Sequence, residues 1–565
     1  MAQQDISIQQ LVDKIENNEI RLPEMQRQYV WQSTRVRDLL DSLYRGYPSG
    51  TILTWETNEQ VATRAFAVDQ NVNMPMQYQL LLDGQQRLTS LSAILRGEPV
   101  QVRGRKRPID ILFNLEHPDA LQFITEVNEN DSTDSSAGED TSEATEDELL
   151  ERFNKMAFVV HAKKLAVLPH WVSVTKVFKE NSDASILKAA GITFMDDPRY
   201  DKFTDRLKKL RAIKDYNYRV HILEREKSYE EVTEIFVRVN SLGAKLRSSD
   251  LALAQITAKW RDSLKIFQDF ERECDQKGFP LDVAILLRNL IAFATGQSKF
   301  RAITGLSRNQ LEDNWKTSIK GMEYSIDFLK SNVGIESPAL LSSNFILIVI
   351  ALLAHRRNYN FTPDFVAQLR KWVLLANVKG RYSHGSSETL LDQDLTAINQ
   401  PEDLSILFQR LRTQVGSLDI HARDFENRNS QSGYFKTMFL AFQKDGATDW
   451  RDQLKISLKH IGKKHRLQFH HVFPQAVLKR VGADKHNIND ICNFSFISER
   501  TNRKISDKEP ADYLSAIVDK LGEEGLLRQC IPIDRQLWSV DRYQDFLQAR
   551  RELVAKRMSD FIASD

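Results

Sequence analysis

Apolar residues near the amino terminus recur with the period of an amphipathic helix. The pattern predicts two helices between residues 6 and 47. The apolar positions that define them are Ile8, Leu11, Val12 and Ile15, followed by Val36, Leu39, Leu40 and Leu43. Residues 50–55 and 78–82 are instead rich in β-branched and apolar side chains, which predicts two strands. We therefore expect a small mixed α/β domain at the amino terminus.

The pattern from residue 229 to residue 446 is almost continuously helical, and no fixed-period repeat is visible in it. Helices are predicted over residues 250–270, 281–294, 311–329 and 365–376. The apolar run 345–354 is about half as long as the roughly 20 residues that a membrane-spanning helix needs. It therefore predicts a buried helix, and we expect an all-helical middle domain without a membrane segment.

The pattern changes again after residue 446. Residues 467–473 have the pattern of a strand that Pro474 ends, residues 491–498 that of a second strand, and residues from 499 onward that of a helix. A chain of 565 residues is also too long for one ordinary core. The sequence thus predicts an α+β multidomain protein with domains at residues 1–225, 226–446 and 447–565.

Composition and charge describe an ordinary globular chain. Hydrophobic residues make up 41% and charged residues 27%, and the net charge of +1 argues against a global polycation, although single segments can still be basic. Only Cys274, Cys492 and Cys530 are present, far apart, which argues against a disulfide framework or a cysteine zinc site. The amino terminus lacks the features of a signal peptide, so a cytoplasmic protein is expected.

One segment departs from this composition. Residues 126–151 contain eleven Asp or Glu and no Lys or Arg, interleaved with small polar residues, a composition that cannot bury enough surface to become ordered. We expect a mobile insertion within the amino-terminal domain. A solvated loop is the favoured interpretation, and an electrostatic mimic of DNA that occupies a basic groove is the alternative.

The most informative local feature is the pair His470-His471, followed by Pro474 and, further on, by Asn493 and Asn502. A one-metal site that cleaves phosphodiesters requires these residue types. One histidine takes a proton from water, a second imidazole and an amide oxygen hold a divalent cation, and another amide orients the base. A chance pair of histidines is the alternative, and the other residues in register make it the weaker one. The sequence therefore predicts a nuclease.

A second feature lies near the amino terminus, where residues 80–91 run from a buried strand through Asp83 and Gly84 into a helix. Backbone amides at such a helix start, with Gln85, Gln86 and Arg87 beside them, can bind a phosphate. This is not a Walker loop, because no Gly-Lys-Ser/Thr is present. A tight strand-to-helix turn with a structural arginine ion pair remains equally compatible with these residues.

Both features resemble the GmrSD-type modification-dependent restriction enzymes. The Asp-Gly-Gln-Gln-Arg motif at 83–87 is similar to that of their ParB/sulfiredoxin-like amino-terminal domain, and residues 467–504 resemble an HNH, or His-Me finger, nuclease. Residues 26–31 (Gln-Arg-Gln-Tyr-Val-Trp), Ser49-Gly50 and the block 236–251 match further motifs of the family. The resemblance covers nearly the whole chain and implies a ββα-metal nuclease fold at the carboxyl terminus.

The resemblance also implies roles for individual residues. In the nuclease domain it makes His471 the general base, Asn493 the residue that holds this base, and His470 and Asn502 the metal ligands, with Arg503 and Lys504 near the scissile phosphate. His470 departs from the aspartate that is commoner at its position. In the amino-terminal domain it implies nucleotide binding by Gln26, Arg27, Asp83, Gly84, Gln85, Gln86 and Arg87, with Asp83 and Arg87 in hydrolysis.

Other residues of these motifs carry weaker expectations. Tyr29 and Trp31 could stack on a nucleobase, although core packing is favoured for both. Asn240 and Asp250 are expected to hold a turn and cap a helix.

The resemblance implies a metal-dependent DNA endonuclease that uses Mg²⁺ or Mn²⁺, binds a nucleoside triphosphate and restricts foreign, phage DNA with modified bases. Cleavage of both strands with one site per chain would suggest a homodimer. A nucleotide-switched, ParB-like DNA-binding regulatory protein without nuclease activity is the alternative, and RNA as the substrate is a third interpretation.

Overall fold

The computed structural model divides into two compact units, Met1–Leu264 and Lys265–Asp565. It describes residues 2–23, 29, 31–57, 63–64, 78–100, 108–119, 151, 153–180, 182–242, 248–383, 385–400, 403–458 and 467–564. Gln26, Arg27, almost all of the acidic segment and residues 459–466 lie outside these ranges. The three domains at 1–225, 226–446 and 447–565 stay a prediction.

The first unit is built on a mixed six-stranded sheet. The unit as a whole contains the strands β1 (Ala2–Ser7), β2 (Ile20–Pro23), β3 (Ile52–Thr57), β4 (Thr63–Arg64), β5 (Tyr78–Asp83), β6 (Ile111–Asn114), β7 (Phe158–Val160), β8 (Trp171–Ser173) and β9 (Asn217–Leu223). The order in the large sheet is β1-β9-β3-β5-β2-β4, and β7-β6-β8 form a small antiparallel sheet. Within the large sheet, β3 lies parallel to β9 and antiparallel to β5. The predicted strands at 50–55 and 78–82 are confirmed as its central pair.

Helices cover both faces of this sheet. They are α1 (Ile8–Glu16), α2 (Ser33–Arg45), α3 (Gln85–Leu95), α4 (Lys163–Ala166), α5 (Val174–Lys179), α6 (Ala184–Ala189), α7 (Tyr200–Arg211), α8 (Tyr229–Leu242) and α9 (Ser248–Lys259). The first two confirm the predicted amphipathic pair. A capping box, in which Ser7 Oγ accepts from Gln10 N and Gln10 Oε1 accepts from Ser7 N, fixes the start of α1.

The central strands are buried on both faces. Ile52 and Leu81 join the core that α1, α2 and α3 cover. The other face carries Trp55 and Leu80, which pack with residues of α8 and α9. Because successive residues of β3 and β5 face two apolar environments in turn, both strands contain runs of consecutive buried residues, Ile52–Trp55 and Leu80–Leu82.

The second unit is mainly helical. Its helices are α10 (Ser263–Gln276, which starts at the boundary), α11 (Val283–Thr295), α12 (Arg308–Phe328), α13 (Phe345–Arg356), α14 (Pro363–Val378), α15 (Ser387–Ala397), α16 (Asp403–Val415), α17 (Gly433–Lys444), α18 (Gln475–Arg480), α19 (Lys485–Ile488), α20 (Glu499–Ile505), α21 (Pro510–Leu521), α22 (Glu524–Leu527) and α23 (Tyr543–Ala563). The apolar run 345–354 is confirmed as a buried helix. In the part of the chain described here, no helix has both the length and the apolar character to span a bilayer.

One predicted helix is wrong in its extent. Residues 250–270 form two helices, α9 and α10, because the backbone breaks at residues 260–262. Asp262 has a φ of 65°, in the left-handed region that ends a helix. The apolar pattern continues across this break, so periodicity alone did not indicate it.

The carboxyl-terminal part contains the predicted strand–strand–helix order. Strands β10 (Leu467–His471) and β11 (Phe494–Ser498) pair antiparallel, and α20 follows directly. Both strands are shorter than predicted. Residues Ile491–Asn493 form a 3₁₀ turn before β11, and the chain leaves β10 after His471, three residues before Pro474.

Candidate functional site

The two histidines of the carboxyl-terminal motif project from opposite faces of β10, because successive residues of a strand alternate. In the register of the hairpin, His470 lies opposite Ser495 and His471 lies opposite Phe494. Each imidazole therefore has its own surroundings, and the two rings are placed to perform different tasks.

His470 lies in the interior, with 3% of its surface exposed. Its Nδ1 atom is 2.7 Å from Oδ1 of Asn502, a residue of α20. The rings of Trp450 and Tyr513 pack edge-on against the imidazole. Burial lowers the pKa of His470 to about 4, so the ring is neutral at neutral pH and one nitrogen keeps its lone pair.

The residues around His470 fit a divalent cation at Nδ1. Atom Nε2 is sealed from solvent and has no hydrogen-bond partner among the described residues, so Nδ1, which faces Asn502, is the candidate ligand atom. A carboxamide oxygen cannot donate, so its contact with Nδ1 needs either a proton on Nδ1 or a shared cation. An imidazole nitrogen and a carboxamide oxygen are both atoms that a divalent cation accepts as ligands, and the 2.7 Å between them would allow one ion to bind both.

A cation at this place would depend on Asn502. Within the described ranges, no group of three or more His, Cys, Asp or Glu side chains is arranged to hold a metal ion. With one imidazole and one carboxamide as its protein ligands, a hard cation keeps most of its coordination positions for water and substrate oxygens.

The start of α20, which carries Asn502, is fixed by a carboxylate that the sequence analysis missed. Asp449 accepts hydrogen bonds from Ser498 N at 2.7 Å and from the Thr501 hydroxyl at 2.8 Å. Burial raises the pKa of Asp449, but the backbone donors and the Thr501 hydroxyl outweigh it and hold the pKa below its usual value. Asp449 lies more than forty residues from Asn502 in sequence, and no local pattern indicates it.

His471 lies in a half-buried position on the other face. Its ring packs on Phe494 with the ring centres 4.4 Å apart. Its Nε2 atom lies 3.0 Å from Oδ1 of Asn489 and 3.3 Å from Nε2 of Gln475. Burial lowers the pKa of His471, and the bond to Asn489 partly opposes this shift. The net lowering favours the neutral ring that a general base needs.

The Asn493 side chain binds backbone groups of two separate segments. Its Oδ1 accepts from Phe473 N at 2.8 Å, and its Nδ2 donates to Phe473 O and Ile488 O. The described residues show no bond between Asn493 and an imidazole. The side chain instead joins the turn that follows His471 to the loop that precedes β11.

The basic residues expected near a phosphate lie at the surface. Arg503 and Lys504 are in the last turn of α20, and Arg503 forms an exposed ion pair with Glu499. His486, which matched no motif position, is bonded to Asn427. His465 lies outside the described residues.

In the first unit, the structure brings two of the sequence motifs together at the start of α3. Arg87 donates to the carbonyl oxygens of Ser49 at 2.6 Å and Thr51 at 2.8 Å, and it pairs with Asp83 at 3.2 Å. A Cβ on Gly50 would lie 2.2 Å from the guanidinium, so this position requires glycine. The arginine therefore holds the Ser49-Gly50 turn against the strand-to-helix turn.

The remaining amino-terminal motif residues lie around α3. Gly84 has a φ of 98° and precedes the helix, which starts without a side-chain cap. Gln85 and Gln86 are buried, and Gln86 Oε1 accepts from Trp31 N at 3.2 Å. Tyr29 is buried and bonded to the Ser90 hydroxyl, which supports core packing for this aromatic. Asp250 lies in the first turn of α9.

Comparisons with known proteins show similarity in both units. Residues 8–257 match the family model described as GmrSD restriction endonuclease, N-terminal domain, a range that covers nearly all of the first unit. The amino-terminal half is thus similar to that domain of the GmrSD enzymes. An uncharacterized protein of Methanocaldococcus jannaschii is 23% identical, over 91% of this chain and 87% of its own length. This similarity extends through both units.

Proposed function

We propose that the chain is a divalent-metal-dependent DNA endonuclease of the GmrSD type, which restricts foreign DNA with modified bases. The observation that carries the proposal is the approach of His470 Nδ1 and Asn502 Oδ1 to 2.7 Å, from elements that are distant in sequence. The neighbouring His471 is a half-buried imidazole with a lowered pKa. Two metal ligands and a base are the minimum for one-metal phosphodiester hydrolysis.

In this mechanism His471 accepts a proton from water as the water oxygen bonds to phosphorus and the bond to one sugar oxygen breaks. His470 and Asn502 would hold Mg²⁺ or Mn²⁺, and the bound ion would supply positive charge to the phosphate oxygens. Arg503 and Lys504 extend from α20 into solvent and would bind flanking phosphates. Asn493 keeps the turn that follows the base in place through the Phe473 backbone.

For the first unit we propose binding of a nucleoside triphosphate at the start of α3. Gly84 is left-handed directly before the helix, and the backbone amides of a helix start favour a phosphate. Arg87 serves this site by shaping the Ser49-Gly50 turn, and Asp83, Gln85 and Gln86 stand around it. Gln26 and Arg27 complete the pocket in this proposal. Their inclusion rests on the sequence resemblance alone.

The proposal is tested with purified protein and a panel of unmodified, methylated, hydroxymethylated and glucosylated DNA. Cleavage of at least one DNA with Mg²⁺ or Mn²⁺, and none with a chelator, is the expected result. DNA binding that responds to nucleotide without any cleavage would instead support the ParB-like regulatory alternative. Parallel assays with RNA decide between the two nucleic acids, and sedimentation with DNA tests a homodimer.

The metal ligands are tested by Asn502→Ala. Loss of the carboxamide oxygen removes one of two protein ligands, so Mn²⁺ affinity in calorimetry is expected to fall by at least about 10-fold. Gln475→Ala is the matched control, because it removes an amide that contacts His471 and not His470. This variant should bind Mn²⁺ like the wild type. Unchanged affinity in Asn502→Ala would remove this residue from the metal site.

The nucleotide site is tested by Arg87→Ala. Two carbonyls and a carboxylate lose their donor, so the Ser49-Gly50 turn loosens and nucleotide affinity is expected to fall by about 10-fold or more. Arg45→Ala, which removes a partly buried pair with Asp41 in the same unit, is the control. Equal nucleotide binding by the wild type and Arg87→Ala would contradict the assignment.

A further inference from the structure

The hydrogen bonds at the His471 ring determine which nitrogen carries the proton. Oδ1 of Asn489 lies 3.0 Å from His471 Nε2. A carboxamide oxygen can only accept, so the ring must donate from Nε2. In a neutral imidazole the lone pair is then on Nδ1. Among the described residues, the hydrogen bonds to this ring are all at Nε2.

A second carboxamide competes for the same nitrogen. The amide nitrogen of Gln475 lies 3.3 Å from His471 Nε2, and an NH₂ group can only donate. The two contacts therefore require opposite protonation states of Nε2. The Asn489 contact is shorter and half-buried, whereas the Gln475 contact is exposed and competes with water. The tautomer that Asn489 selects is accordingly the favoured one.

We propose that Asn489 is the positioning residue of the base. It holds the proton of His471 on Nε2 and thereby aims the lone pair of Nδ1 at the attacking water. This inference rests on the proposed nuclease function, and it concerns a residue outside the four-residue motif. On the ring face, Phe494 limits tilting of the imidazole, so the hydrogen bond and the aromatic contact together fix its orientation.

Hydrogen bonds and an ion pair hold the loop on both sides of Asn489. Asn493 Nδ2 donates to the Ile488 carbonyl at 3.0 Å, directly before Asn489. On the other side, the Asp490 carboxylate binds Arg551 at 2.6 Å and accepts from Cys492 N at 2.8 Å. The Asn493 side chain thus fixes both the turn after His471 and the backbone of the residue that orients the ring. A positioning residue needs such support, because a displacement of about 1 Å can cost 100-fold in rate.

The kinetic test compares Asn489→Ala, Asn489→Asp and the control Gln475→Ala in the full-length protein. Asn489→Ala is expected to lower kcat by about 10- to 100-fold with little change in KM. Asn489→Asp keeps an acceptor for Nε2–H and should recover most of kcat, whereas Gln475→Ala should stay within about threefold of the wild type. Equal losses in Asn489→Ala and Gln475→Ala, or an aspartate variant as slow as the alanine variant, would overturn the proposal.

A second measurement does not depend on activity. Nitrogen-15 spectra of the histidine-labelled chain, with His471→Gln for assignment, report which nitrogen is protonated. The wild type is expected to show Nε2–H, and Asn489→Ala a mixture of tautomers. If the wild type and Asn489→Ala show the same tautomer, the inference is wrong even if the enzyme cleaves DNA. Absence of cleavage in the wild type with the expected tautomers would instead count against the nuclease function alone.

Discussion

Replacing His471 by alanine is expected to abolish metal-dependent DNA cleavage while nucleotide turnover continues. General-base catalysis contributes about 100- to 10,000-fold. The neighbouring imidazole of His470 cannot substitute, because it faces the other side of β10. The Nδ1 atom of His470 is in contact with Asn502 Oδ1. The rate of strand cleavage under single-turnover conditions measures this loss.

The pH profile gives the same assignment a second readout. Burial lowers the pKa of His471, so its ring stays neutral at pH values where an exposed histidine, with a pKa near 6.5, is already protonated. In the wild type, cleavage should therefore fall on the acid side only below about pH 6.5. His486→Ala, which removes an exposed histidine bonded to Asn427, is the control and should cleave normally. Cleavage by His471→Ala at the wild-type rate would remove the base assignment.

Replacing Arg550 by leucine is expected to give the largest loss of stability. The guanidinium is fully buried and donates to the carbonyls of Cys492 and Phe494, both at 2.7 Å, and of Gln529 at 3.1 Å. Leucine leaves three buried acceptors without a donor, and such losses cost about 3 kcal/mol in the free energy of unfolding of the second unit. Urea denaturation followed by fluorescence measures this difference.

The same substitution should loosen the candidate site, because two of these carbonyls flank Asn493. Amide hydrogen exchange in residues 492–498 is expected to accelerate in Arg550→Leu. Arg542→Ala is the matched control, since Arg542 directly precedes the same helix and forms only an exposed ion pair with Asp545. A leucine variant with wild-type stability and wild-type exchange would show that the buried charge is dispensable.

Local patterns predicted the elements well where one apolar face repeats. The helices α1 and α2 and the strands β3 and β5 follow directly from periodicity, because each buries one side or both sides against a core. The break between α9 and α10 was missed, because it depends on the backbone conformation of Asp262 and not on which residues are apolar. The short form of β11 likewise depends on Asp490, which caps the preceding 3₁₀ turn.

For the candidate site, motif spacing identified the residues but not their contacts. The structure places His470 Nδ1 2.7 Å from Asn502 Oδ1, and their shared role as metal ligands stays a prediction. Asn489, Asp449 and Arg550 were all missed, because each contacts a motif residue or its neighbours from a distant position and belongs to no short pattern. Asn493, expected at the base itself, works through the backbone of Phe473 and Ile488.

The sequence by itself determined the order of helices and strands, the two motif regions and the residue types that a hydrolytic centre needs. These features are local, because periodic burial and turn chemistry act over a few neighbouring residues. Only the tertiary structure decided that His470 is buried with Nδ1 toward Asn502, that Asn489 binds Nε2 of His471, and that Arg87 joins two motifs. Such contacts are set by packing between distant elements, and the packing determines which donor meets which acceptor.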